Sequence, residues 1–127
     1  MKIALLIMTV SLSLLAEGSV HYSGTYQQCL DNGGGVTTNM RLCNSKELKY
    51  QDKLLNNNYK QAMKRLDKDK KDELKKVQRL WVKYRDARRN FQFGITGGTI
   101  DLLNGDSCLI DMTAQRAEEL KSINNFS

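Results

Sequence analysis

The chain has 127 residues and no proline, is 40% hydrophobic, and carries a formal charge of +6. That length holds one domain and excludes a second independent core. A lone histidine and the absence of any CxxC pair exclude a zinc cluster.

The N-terminus has the pattern of a secretory signal. Lys2 supplies the positive end, Ile3 to Ala16 form an apolar run too short for a comfortable membrane span, and Ala16-Glu17-Gly18 puts small residues at the cleavage positions. We therefore expect a signal peptide over residues 1–18 and a mature domain over residues 19–127, periplasmic or secreted. No cysteine stands at the cleavage point, so no lipid anchor is expected there. In the oxidising compartment that follows, Cys29, Cys43 and Cys108 should yield one disulfide and one leftover thiol.

Along the mature chain, residues 19–24 read as a loose start. Thr25 to Asn32 suits a short helix that stops at Gly33 to Gly35; no P-loop lysine and hydroxyl follow those glycines, so they end a helix rather than cradle a phosphate. The Val36-Thr37-Thr38-Asn39 stretch offers N-cap residues for a long helix from about Thr38 to Leu66, with Leu48, Asp52, Leu55, Tyr59, Ala62 and Leu66 recurring at helical spacing. Asp67 to Glu73 makes a charged turn in which Asp69 is the expected N-cap, and Asp72 and Glu73 suit the first turn of the next helix. Leu74, Val77, Trp81, Tyr84, Arg88 and Phe91 mark that second helix's expected inner face. Gly94 to Gly98 breaks it, and Thr99 to about Ile123 is again helical, with Asn104-Gly105 as a kink or restart. No strand-like alternation of any length is present. The expected fold class is all-α: an antiparallel helical hairpin plus a short N-terminal helix and a C-terminal helix, in a small disulfide-bridged domain.

A hairpin turn centred near residues 68 and 69 would bring Asp52 level with Arg85, and Tyr59 level with Gln78. An Asp52–Arg85 ion pair and a Tyr59–Gln78 hydrogen bond beside Trp81 are then expected, because a buried carboxylate needs a partner and a guanidinium fork is the natural one. Asp86 points away from this seam and is expected to pair with Arg89. These residues would be framework rather than binding site.

Charge is spread unevenly. Residues 60–92 hold thirteen Lys/Arg against five Asp/Glu, whereas residues 93–127 hold two against five. In an exported protein the matching polyanions are envelope polymers and anionic lipid rather than nucleic acid.

The same residues carry a family pattern: Cys29, then Met40 and Cys43, then Asp52 to Tyr59 (DKLLNNNY), Gln78 to Asp86 (QRLWVKYRD), Gly97-Gly98, Cys108, Thr113 and Arg116. The sequence resembles the LprI-like lysozyme-inhibitor family of secreted bacterial proteins. The resemblance implies an all-helical, cysteine-bridged envelope protein. Family members usually carry a cysteine where this chain has Arg89. Loss of that bridge would leave Cys29–Cys43 intact and Cys108 free, with Cys43–Cys108 as the alternative pairing. Closing the Cys29–Cys43 loop would contribute about 3 kcal/mol on the chain-entropy model.

No catalytic constellation is legible. Glu47, Asp72, Glu73, Glu118 and Glu119 fall at spacings typical of solvated faces, and His21 lies in the expected loose start, so neither an enzyme nor a cofactor is expected. The resemblance implies a protein partner, a lysozyme or related muramidase, blocked by groups that meet the two carboxylates of its cleft. Lys68, Lys70 and Lys71 at the hairpin tip, or Arg88 and Arg89 near the other end, are the candidate contacts. Animal lysozymes are basic and would meet this chain against repulsion; a less basic target escapes that objection, and the tail carboxylates Asp101, Asp106, Asp111, Glu118 and Glu119 would attract a basic one. The alternative is a non-enzymatic envelope module that binds cell-wall polymer or lipopolysaccharide through the basic hairpin.

Overall fold

A computed structural model describes residues 20–126; the expected signal peptide lies outside them. Among the described residues the chain forms four helices, α1 (Tyr26–Asn32), α2 (Thr37–Arg65), α3 (Lys68–Gln92) and α4 (Ile100–Ile123), and no strand. The fold is all-α, as the periodicity implied.

Helix α2 and helix α3 form the hairpin, and α4 runs back to pack on both of them, most extensively on α2. The backbones of α2 and α3 do not approach closely along their length. Leu55, Ala62, Leu74, Ala117 and Leu120 make the core at the turn end, with Leu54, Tyr59, Met63, Leu66, Trp81 and Ile123 packed around it. Alanines at 62 and 117 leave room for α4 to lie close against α2, and Asn58 Nδ2 donates across that seam to the Ala117 carbonyl at 2.8 Å.

Away from the turn, the buried face of α2 becomes polar, with Asn44, Glu47 and Gln51 all nearly inaccessible. Each needs a hydrogen-bond partner, and residues 20–25 supply several. Ser23 N and Oγ donate to Glu47, Gln51 Nε2 donates to the His21 carbonyl at 2.8 Å, and Tyr22 OH donates to Asp111 on α4. Residues 20–25 are therefore a strap across α2 and α4, not the loose start the sequence indicated. Burial raises the Tyr22 hydroxyl to about 12, helped by the Asp111 carboxylate.

Helix α1 is fixed by the Cys29–Cys43 disulfide to α2, and Cys108 is free. Tyr26 OH also donates to Asn44 Oδ1, and Asn44 Nδ2 donates to Asp106 on α4, which accepts from Arg41 as well. After α1 the chain reverses through Gly34 and Gly35, both at positive φ, where a side chain would be strained.

Two local expectations change. The N-cap of α3 is Asp67, whose carboxylate accepts from Lys70 N at 2.9 Å, and Asp69 lies inside the first turn. Helix α4 runs unbroken through Asn104-Gly105, with no restart there. Gly105 is there for contact, because the Phe93 ring occupies the space a Cβ would fill, 2.2 Å from its position.

The loop between α3 and α4 is gathered around one buried carboxylate. Asp101 accepts from the backbone N–H groups of Gly94, Thr96 and Gly97 and from the Thr96 hydroxyl. Burial alone would raise this carboxyl; the bonds from Thr96, Gly97 and Gly94 outweigh it and hold it below the ordinary aspartate range.

Candidate functional site

The apolar stripe on α3 does not face the core as its spacing implied. Leu74 is buried and Trp81 packs against the core, but Val77, Tyr84, Arg88 and Phe91 are exposed, Phe91 to 72%; Leu80, outside the expected face, is exposed to 66%. The face turned inward is Leu74, Gln78, Trp81, Arg85 and Arg89, about a fifth of a turn around the helix from the expected one. The cause is α4. Arg116 on that helix donates from Nε to Gln78 Oε1 at 2.9 Å and from Nη1 to Glu119 at 2.8 Å, so it draws a polar edge of α3 against itself. Sequence hydropathy ranks Val77 and Tyr84 above Gln78 and Arg85, and a half-buried arginine elsewhere reverses that order.

The shared motif residues come together, but not as the closed seam the register predicted. The turn consists of Leu66 and Asp67, about two residues earlier than the centre assumed from the charged run. A shift of the centre moves level partners by twice as much, so neither Tyr59 with Gln78 nor Asp52 with Arg85 stays level. Gln78 bonds to Arg116 instead of Tyr59. Arg85 does reach Asp52, at 3.8 Å, but its shorter contacts are to Asp86, with Nε and Nη2 each at 3.0 Å from Oδ1. Asp86 thus pairs with Arg85 and not with Arg89, whose guanidinium bonds to Asn90 and lies over the Phe93 ring.

With α2 and α3 held apart, an open groove of about 680 Å³ runs between them. Asp52, Leu55, Tyr59, Gln78, Trp81 and Arg85 line it, so every motif residue assigned to the framework borders this groove. The Arg85 guanidinium lies over the Trp81 ring, 5.1 Å from its centroid. Burial raises the Asp52 carboxyl above its ordinary value, and the Arg85 charge pulls against that rise. Asn56, Lys75, Arg79, Val82 and Lys83 complete the walls. None of these was legible as a site, because Lys75, Arg79 and Lys83 read as a solvated face of α3 and only the separation of the helices makes that face one wall of a groove.

The candidate contact residues occupy two ends of α3. Lys68 and Lys70 are exposed at its start, with Lys70 paired to Glu73 at 2.7 Å, and Lys71 is half-buried. Arg88 is exposed in line with Tyr84 and Phe91, while Arg89 is half-buried. The tail carboxylates are mostly engaged internally: Asp101 by its loop, Asp106 by Arg41, Asp111 by Tyr22 and Glu119 by Arg116. Among the described residues no cluster of three or more His, Cys, Asp or Glu side chains is arranged to hold a metal ion, and no helix is long and apolar enough to cross a membrane.

No curated protein and no solved structure matches the chain. A family model does, that of the lysozyme inhibitor LprI, over residues 29–120, from the first bridged cysteine to the last core leucine of α4. The chain belongs to the lysozyme inhibitor LprI family.

Proposed function

We propose that this chain is exported, matures near Ser19, and acts outside the cytoplasm by binding and blocking a lysozyme or related peptidoglycan-cleaving enzyme, without catalysis of its own. Membership of the lysozyme inhibitor LprI family supports the class of partner. The disulfide fits an oxidising compartment. Family membership does not favour the polyanion reading.

The observation that carries the proposal is the exposed row Val77, Leu80, Tyr84, Arg88 and Phe91 on α3. Aromatic and arginine side chains are enriched among the few residues that dominate protein interfaces. A helix is convex, so such a row can enter an enzyme cleft and exclude substrate. Arg88 stands between Tyr84 and Phe91, where its guanidinium would meet the carboxylates of a glycosidase cleft. Lys68, Lys70 and Lys71, roughly 30 Å away along the helix, would serve at the rim. The net positive charge favours a target less basic than the animal lysozymes.

The test is a lysis titration of animal-type, goose-type and bacterial muramidases with the purified mature protein at physiological salt. Loss of lysis at near-stoichiometric inhibitor for one class is expected. Undiminished lysis by every class would overturn the proposal.

A further inference from the structure

We infer that the groove between α2 and α3 is a second binding site, which takes an acidic amphipathic helix from a partner protein. This goes beyond the blocking of an enzyme by the exposed row of α3, and it rests on the groove alone.

Three observations define the occupant. The first is charge. Lys75, Arg79 and Lys83 follow one another at four-residue spacing on the groove side of α3, and among the described residues none has a carboxylate within 4.0 Å. Arg85 is already engaged by Asp86 and Asp52, and Asp52 is the only carboxylate among the lining residues. A row of three unneutralised cations beside one partly paired acid calls for an anionic ligand.

The second is the floor. Leu55, Tyr59 and Trp81, buried or half-buried, give the groove an apolar lining, to which the more exposed Val82 adds. A hydrophilic polyanion would cover those side chains with nothing apolar, whereas an amphipathic segment would bury Leu or Phe there while its carboxylates meet the rim. Four-residue spacing on α3 is about 6 Å, which is also the repeat of carboxylates placed every fourth residue on a docked helix.

The third is the architecture. Helix α4 packs on α2 and α3 from one side, and the gap between those two helices opens as a helix-lined trough. A docked helix would complete a four-helix arrangement, the packing such bundles favour. A second copy of this chain does not fit the need, because four of the five acidic side chains on α4 are held by Arg41, Arg116, Tyr22 and the loop at Thr96. The partner is foreign.

Trp81 is the only tryptophan and lines the groove, so its fluorescence reports occupancy directly. The probe is a synthetic peptide of about 14 residues, long enough to hold a helix when docked, with Leu along one face and Glu at four-residue spacing beside it. Saturable change in Trp81 emission is expected with this peptide and none with its Lys-for-Glu counterpart. The double variant Arg79→Glu/Lys83→Glu should bind at least about tenfold more weakly. The variant Lys46→Glu/Lys121→Glu, with the same net charge but neither position on the groove, should bind as the parent does; circular dichroism checks that both remain helical. Absence of a saturable response, equal weakening by both double variants, or equally tight binding of inorganic polyphosphate at the groove would each overturn the assignment. Peptide binding is read without any lysis measurement, so failure here is distinct from failure of the enzyme-blocking proposal.

Discussion

The Phe93 ring stands against Gly105 so closely that its Cε1 lies 2.2 Å from where a Cβ on residue 105 would be. The contact ties the end of α3 to the first half of α4. Gly105→Ala adds a methyl where the nearest atoms belong to a rigid ring, so the ring or the helix must move. We expect a loss of about 1–3 kcal/mol from overpacking, against a gain of only about 1 kcal/mol from better helix propensity. Urea unfolding followed through Trp81 measures the difference. Phe93→Leu in the alanine background should recover part of the loss; an undiminished urea midpoint in Gly105→Ala alone would show that the ring yields freely.

The bridge between Cys29 and Cys43 is the covalent hold on α1, which packs on α2. Replacing both cysteines by serine should cost about 3 kcal/mol on the chain-entropy model. Proteolytic cleavage should then begin between residues 24 and 36, around the glycine turn. Cleavage appearing first in the loop at residues 94–98 would show that the two ends of the molecule are not ranked in this way.

Tyr22 links the N-terminal strap to α4 through its hydroxyl, and its folded-state ionisation is raised to about 12. The ordinary tyrosine value is about 10. A group whose folded value is raised contributes stability that is complete below the unfolded value and is lost as pH climbs through the folded one. The Tyr22–Asp111 contribution should therefore hold at neutral pH and fade between about pH 10 and 12. Tyr22→Phe should flatten stability over that window, as read by thermal melts at graded pH, and should remove the highest step of the phenolate absorbance titration.

Asp101 works in the opposite direction. Its carboxyl is held below the usual range by the bonds it accepts from Thr96, Gly97 and Gly94. Its stabilising effect is then complete above about pH 4, the unfolded value, and is lost as pH falls through the lower folded value. Asp101→Asn should lower the melting temperature at neutral pH and weaken its dependence on acid. An unchanged acid limb of the melting curve in this variant would move the acid sensitivity to another carboxylate.

Much of the fold was legible because its signals are local. Gly33 to Gly35 end α1, the charged run after Leu66 ends α2, and Gly94 to Gly98 ends α3, each by backbone chemistry that neighbours in sequence decide. Part of what failed depends on a third helix. The inward face of α3 follows from Arg116 reaching Gln78, thirty-eight positions earlier, and periodicity within one helix contains no trace of it. The register of Tyr59 and Gln78 failed because Asp67 and Asp69 are equally good caps by residue type, and a two-residue difference there doubles across the hairpin. The groove was invisible for the same reason: the motif implied contact between α2 and α3, while α4 fills the seam on one side and leaves the other open. Gly105 looked like a break because glycine usually is one; the Phe93 ring gives it a packing role instead.

The two flanks of α3 make separable predictions about inhibition. Tyr84, Arg88 and Phe91 are exposed and lie outside the core, so the triple variant Tyr84→Ala/Arg88→Glu/Phe91→Ala should stay close to parent stability, each exposed position contributing within about 0.5 kcal/mol. If this row enters the enzyme cleft, the triple variant should lose most inhibition of lysis, because truncating a few aromatic and arginine anchors removes most of an interface's energy. The groove variant Arg79→Glu/Lys83→Glu should inhibit as the parent does, since those side chains line the other flank. The reverse pattern, with inhibition lost in the groove variant and kept in the triple variant, would place the enzyme in the groove and make the exposed row of α3 incidental to it.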